Sequence, residues 1–232
     1  VVMDEQFNSA VTDIFRNEYL SPRSPYTTLQ IPKQGIGEWC HPLHTVDIDD
    51  SGLRSSVQKG VLNTKLGVPF RTPAEGQNIA FTSLWDNYPD SLTVSLKGKA
   101  SRAYLLMAGS TNHMQCHIDN GLIRVYYKDG TCDKMALRNP DNWAPIEHIF
   151  FEDDLAFNRH APALYRLRLK TGEISNNFGE ELGFPGASRE LDGGAAILLE
   201  MPLNPDKKLS HLVLETLSND VVIGLMSITL QR

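Results

Sequence analysis

Two runs of strand-forming side chains, residues 122–128 and 132–137, are separated by Asp129-Gly130. An Asp-Gly pair between such runs supplies the left-handed backbone that a tight hairpin turn needs. The middle of the chain is therefore committed to antiparallel pairing, and the segments around it repeat the same strand-turn-strand order. Residues 91–96 alternate Leu92, Val94 and Leu96 against Ser91, Thr93 and Ser95, the period of two of a half-buried strand. Residues 103–108 form a continuous apolar run, as in a central strand covered on both faces. Further strands are expected at residues 78–84, 164–169, 195–200, 211–216 and 221–230. About ten short strands joined by polar turns predict an all-β sandwich.

Upstream of residue 60 the pattern differs. Phe7, Val11, Ile14 and Phe15 fall at helical spacing within residues 4–20, with Asp4 and Asn8 as possible caps and Ser21-Pro22 as a stop. This spacing predicts a short N-terminal helix. Between residues 22 and 52, Pro22, Pro25, Pro32, Gly35, Gly37 and Pro42 break any periodicity. The expected organisation is residues 1–59 as a helix and loop-rich extension packed on a sandwich of residues 60–232, with no linker or internal repeat between separate domains.

Composition narrows the partners. The 232 residues are 41% hydrophobic and 22% charged, as in ordinary globular domains. The formal charge is −6, and no run of Lys or Arg is present to track a phosphate backbone, which argues against nucleic acid. Apolar stretches such as 195–199 and 221–226 fall far short of the roughly 20 residues of a membrane helix, so no membrane span is expected. The sequence starts at Val1 without the basic, apolar and small-residue series of a secretory signal. Cys40, Cys116 and Cys132 match neither a CxxC site nor a stapled mini-domain. Cys116 and Cys132 would pair only if their strands lay side by side; otherwise all three behave as small buried hydrophobes.

Motifs that would announce a hydrolase elbow, a P-loop, a dinucleotide fingerprint or a zinc protease are absent. Carboxylates for a glycosidase pair exist among Asp47, Asp49, Asp50, Glu152, Asp153 and Asp154, but nothing in the sequence assigns a second role-bearing group, so no catalytic residue is expected. Asp47, Asp49 and Asp50 offer hard oxygen ligands for a structural calcium in a loop, or else form an ordinary turn. Two His/Cys groupings, Cys40 with His41 and His44, and His113 with Cys116 and His117, carry transition-metal ligand types without a zinc spacing. Trp39, Trp85, Tyr88 and Trp143 lie in loop-like sequence, where a flat ring can stack on the C–H face of a sugar, or anchor a loop in the core.

Several stretches also resemble a known family. Gly67-Val68-Pro69-Phe70, the segment 103–111, Val125-Tyr126-Tyr127-Lys128-Asp129-Gly130 and Asn139-Pro140-Asp141-Asn142-Trp143 are similar, in this order, to galactose-binding-like jelly-roll accessory modules of NPCBM type in bacterial (Bacteroidetes-type) glycoside hydrolases. Asp192-Gly193-Gly194-Ala195-Ala196, Met201-Pro202-Leu203 and the segment 222–226 resemble the closing strands of such modules. The similarity covers residues 60–232. It implies a jelly-roll sandwich, exported to the periplasm, outer surface or medium, that binds carbohydrate or packs against a catalytic domain of the same protein. It carries over no individual binding residue.

Overall fold

The computed structural model describes residues 1–16, 20, 46–111, 115–147, 158–177, 191–219 and 221–232. Among the described residues the chain forms strands β1 (Val57–Gln58), β2 (Val61–Asn63), β3 (Pro69–Arg71), β4 (Ala80–Ser83), β5 (Ser91–Ser95), β6 (Arg102–Thr111) and β7 (Asp119–Tyr127). They continue as β8 (Cys132–Arg138), β9 (Tyr165–Arg168), β10 (Ile174–Ser175), β11 (Ala195–Pro202), β12 (Leu209–Thr216) and β13 (Val221–Gln231). The helical elements that lie wholly within the described residues are a 3-10 turn at Val11–Asp13 and a short helix α1 (Ser51–Ser55). The strands make three antiparallel sheets: β10-β9-β11-β6-β13-β4, β5-β12-β7-β8 and the small β1-β2-β3. The fold is an all-β sandwich, as the period-two segments predict.

The six-stranded sheet is covered on both faces, and alternation decides which residue meets which core. Ala103, Leu105 and Met107 of β6 and Ile197, Leu199 and Met201 of β11 point to the first core, where they meet Val94, Ile123, Val125, Leu212 and Leu214 of the four-stranded sheet. The intervening Leu106, Ala108, Ala196 and Leu198 point to a second core with Val11, Ile14, Ile48, Leu53, Leu62 and Phe70. That is why residues 103–108 read as an unbroken apolar run. A bulge between Leu225 and Ser227 turns Met226 to the second core and returns Ile228 to the first.

Among the described residues of 4–20, the expected N-terminal helix does not form, and the helical structure there is the 3-10 turn at Val11–Asp13. The backbone of Ser9 bridges Ile79, with N–H to carbonyl bonds in both directions. The Asn8 side chain pairs with both the N–H and the carbonyl of Phe81. Residues whose main chain is spent on the edge of β4 cannot enter a helical ladder, so the sheet edge overrides the helical spacing. Val11 and Ile14 are buried all the same, against a sheet rather than along a helix stripe.

Beyond Met107 and Ile197, β6 and β11 stop pairing with each other, and residues 144–147 slip between them. Ile146 donates its N–H to Gly109 and accepts from Ala195. This inserted segment carries Ala144 in the first core and Ile146 in the second, so it crosses the plane of the sheet. No disulfide joins Cys116 and Cys132. Cys132 begins β8, whereas Cys116 bridges Asn139 just past its far end, a separation of about 20 Å along seven residues of strand.

Candidate functional site

Strand register places the described parts of four connections at one end of the sandwich: residues 84–90 after β4, 115–118 after β6, 139–147 with 158–164 after β8, and 217–219 after β12. Most sequence-derived candidates that fall on described residues gather here.

In the connection after β4, Trp85 is partly exposed and sits on a turn closed by the Ser83 hydroxyl, which accepts the Trp85 N–H at 3.0 Å. The Ser83 N–H in turn donates to the Pro89 carbonyl. Tyr88 packs its ring on buried Phe81, centroids 5.1 Å apart, which fixes the turn to the end of β4. Burial pushes the Tyr88 phenol above its ordinary value, against a hydrogen bond from Ser9. Between the two aromatics, both polar atoms of the Asn87 amide lack a hydrogen-bond partner. Trp39 lies outside the described residues, as do His41, His44, Cys40, His113, Glu152, Asp153 and Asp154.

Trp143 corrects the expectation of a rim aromatic. Its ring is 0% exposed, part of the first core, and covers Gly109 so closely that a Cβ there would lie 2.7 Å from the indole. The cause is the turn after β8. The Asn142 side chain accepts the Arg138 N–H at 2.7 Å and donates to the Ala136 carbonyl at 2.8 Å, folding the chain back so that residue 143 enters the sandwich. Gly109 leaves the space that the indole fills.

Asp47, Asp49 and Asp50 are divided among different partners. Asp47 is exposed. Asp49 accepts the Ser51 N–H at 2.9 Å, and bonds from the Ser51 side chain and backbone hold its carboxyl below the usual range. Asp50 is buried, and its Oδ2 accepts from Arg54 Nε and Asn78 Nδ2, both at 2.8 Å. The three form the turn that opens α1 rather than an oxygen cage, because Asp50 already faces an internal cation and amide.

Among the described residues, metal-type ligand atoms converge elsewhere: His117, Asp141 and His160, all within 4.8 Å of one another. Asp141 Oδ2 is 3.7 Å from His117 Nδ1, and Asp141 Oδ1 is 3.9 Å from His160 Nδ1. The imidazoles lie 4.6 Å apart at 31°. The His160 N–H donates to Asp141 Oδ1 at 2.6 Å, and the His117 N–H donates to the Asn139 carbonyl at 2.7 Å. His117 has φ 54°, in the left-handed region. The sequence offered His117 but grouped it with His113 and Cys116; Asp141 and His160 come from another connection, and no spacing in the chain signals that they meet.

Where residues 144–147 cross the sheet, Glu147 is buried with Ser110 Oγ 2.7 and 2.9 Å from its two oxygens. Burial pushes its carboxyl up to about 7, against the bond from Ser110 and the charge of Arg166. Arg166, itself buried, donates to the Pro145 and Ala195 carbonyls at 2.6 and 3.1 Å. Away from this end, a cleft of about 580 Å³ is lined by Val61, Pro69, Leu96 and Leu230 with Arg71, Lys97 and Arg232, and includes none of the aromatic candidates.

No protein-family model, curated protein or solved structure matches the chain.

Proposed function

We propose that this chain is a non-catalytic, carbohydrate-associated β-sandwich module of an exported bacterial polysaccharide-degrading protein, binding glycan at the loop-bearing end through Trp85 and its neighbours. The observation that carries this reading is the turn after β4. It presents a partly exposed indole, anchored through Tyr88 on Phe81, next to exposed Asp86 and to an Asn87 amide that is buried without a hydrogen-bond partner among the described residues and would have to turn outward to meet a ligand. A pyranose needs both a flat apolar face and adjacent hydrogen-bond partners for its hydroxyls. The segment resemblances of residues 60–232 to galactose-binding-like modules support the same reading and imply a jelly-roll topology.

The test is a binding screen of the chain against soluble polysaccharides and oligosaccharides, with Trp85→Ala and Asn87→Ala in parallel. Saturable binding is expected, weakened at least about 10-fold by Trp85→Ala, the loss of one stacking contact. Absence of binding across the panel would overturn it.

A second reading, a structural module that packs on a neighbouring catalytic domain, draws on a different feature of the same end. Leu84, Ile118 and Leu217 are 42, 49 and 40% exposed there, an apolar surface suited to burial against another domain. It predicts self-association of the isolated chain that is suppressed by Leu84→Asp with Leu217→Asp, and no glycan binding.

A further inference from the structure

The geometry points to a divalent transition-metal site of the zinc class at His117, Asp141 and His160, a site independent of glycan binding. Two imidazoles and one carboxylate are the borderline nitrogen and oxygen donors that such an ion selects, unlike the all-oxygen set that calcium or magnesium takes. Around zinc, with bonds of about 2.0–2.2 Å, tetrahedral neighbours stand roughly 3.3 Å apart. Asp141 lies 3.7 Å from His117 Nδ1 and 3.9 Å from His160 Nδ1, too long for hydrogen bonds and a few tenths of an ångström longer than a shared ion requires. All three donor atoms lie within 4.8 Å of one another, so closing on an ion requires the two imidazoles to draw together, a movement open to His160, whose side chain is 70% exposed.

Three further observations concern the protein without the ion. His117 Nδ1 is buried with no hydrogen-bond partner, although it faces a carboxylate. Buried polar atoms in this condition are uncommon, and a metal ion would complete it. His117 also holds φ 54°, a left-handed conformation that is strained for a non-glycine residue and that clusters at functional positions. Arg138, three residues before Asp141, is engaged by Asp119 at 2.6 Å.

The ligands come from the connection after β6, the turn after β8 and the segment leading to β9. A bound ion would therefore cross-link three chain segments at one end of the sandwich. Three protein ligands leave a fourth position to water, on the side where His160 is exposed, which is the open arrangement and not the closed four-ligand structural one.

The experiment uses the 232-residue chain without a polyhistidine tag, stripped with a chelator and titrated with zinc by calorimetry and with cobalt(II) by visible absorption. One equivalent of zinc is expected, with a rise in melting temperature at saturating metal and tetrahedral-type cobalt bands. His160→Ala, at an exposed position, should fold as the parent does and lose at least about 100-fold in affinity, more than a second-shell loss costs. Asp141→Asn should lose the cobalt bands. His117→Gly should abolish binding while leaving the metal-free protein as stable as the parent or more so, since glycine relieves the left-handed backbone. Absence of saturable binding, or binding unchanged in His160→Ala and Asp141→Asn, would overturn the site.

Discussion

The two faces of the six-stranded sheet are both dry, but they are assembled by different rules. On the first face, two sheets meet and nearly every core residue is an alternate position of a strand: Leu105 and Met107 on β6, Ile123 and Val125 on β7, Leu212 and Leu214 on β12. On the second face, much of the cover comes from irregular chain: Val11 and Ile14 near the 3-10 turn, Val46 and Ile48 in extended loop, Leu53 on α1. A strand ladder satisfies its own backbone groups, so the strand-borne part of the first core needs no polar residues to position it; Trp143, brought in from a turn by Asn142, is the exception. Irregular cover lacks a ladder, and here side-chain amides take its place. Asn78, 0% exposed, accepts the Val11 N–H at 2.9 Å and donates to Asp50, while Asn8 pairs with the main chain of Phe81. The difference teaches where each face is vulnerable: the first to lost volume, the second to lost hydrogen bonds.

The largest effect is expected on the first face. Trp143→Ala removes a fully buried indole that fills the space above Gly109, and should cost about 3–5 kcal/mol, read as a drop in urea midpoint with unchanged slope. Gly109→Ala attacks the same packing from the other side, because its Cβ would stand 2.1 Å from the Val222 carbonyl and 2.7 Å from the indole. A loss below about 1 kcal/mol for both would show that the first core tolerates changes in volume and would dissolve the contrast.

The seam between the faces comes next, and it responds to pH. Folding raises the Glu147 carboxyl from 4.5 to about 7. Between those values the folded chain holds a proton that the unfolded chain releases, so stability falls as pH rises through this window. The stabilisation is fully present below pH 4.5 and is lost above pH 7, a span on the order of 3 kcal/mol. Glu147→Gln should remove this component: the parent should be more stable at pH 5 than at pH 7.5 by a margin that the variant lacks. Equal pH dependence in both proteins would mean that Glu147 is not desolvated at the seam.

On the second face, Asn78→Ala should cost about 1–3 kcal/mol, since it leaves the Val11 N–H unsatisfied and takes one of the two donors from buried Asp50 Oδ2, which keeps Arg54, while removing little apolar area. If the amides position the irregular cover, limited proteolysis should also cut the variant within residues 1–16 before the sandwich unfolds. Simultaneous loss of both regions would instead make the two faces one cooperative unit.

The same contrast explains what could be read from the sequence. Residues 91–96, 122–128 and 132–137 announce their strands because alternation is local and the Asp129-Gly130 turn is chemically specific; Gly130 does adopt φ 85°. The helical spacing of Phe7, Val11, Ile14 and Phe15 misleads because burial of those side chains is decided by the edge of β4, which is 65 residues or more away in sequence. Trp143 has loop-like neighbours, and only the side-chain cap made by Asn142 turns it inward. The turn at Trp85 and Tyr88 was legible, since Trp, Asp, Asn and Tyr cluster in one short segment. The His117, Asp141 and His160 group was not, because His117 comes from the connection after β6 while Asp141 and His160 stand 19 residues apart in the connection after β8, and only the fold brings them together.

The smallest effect tests the start of the irregular cover. Asp49 closes the turn into α1 by accepting the Ser51 N–H, and hydrogen bonds from Ser51 keep its carboxyl ionised below the ordinary range. Asp49→Ala should therefore cost about 0.5–1 kcal/mol, the usual worth of a local side-chain cap. In a chain of this length that is a fall of roughly 1–4 °C in melting temperature. Asp49→Asn keeps the acceptor and should restore most of the loss, whatever the calcium concentration. A melting temperature that rises with calcium in the parent and not in Asp49→Asn would instead make the 47–50 turn an ion site, and the second face would then be held by a metal as well as by its amides.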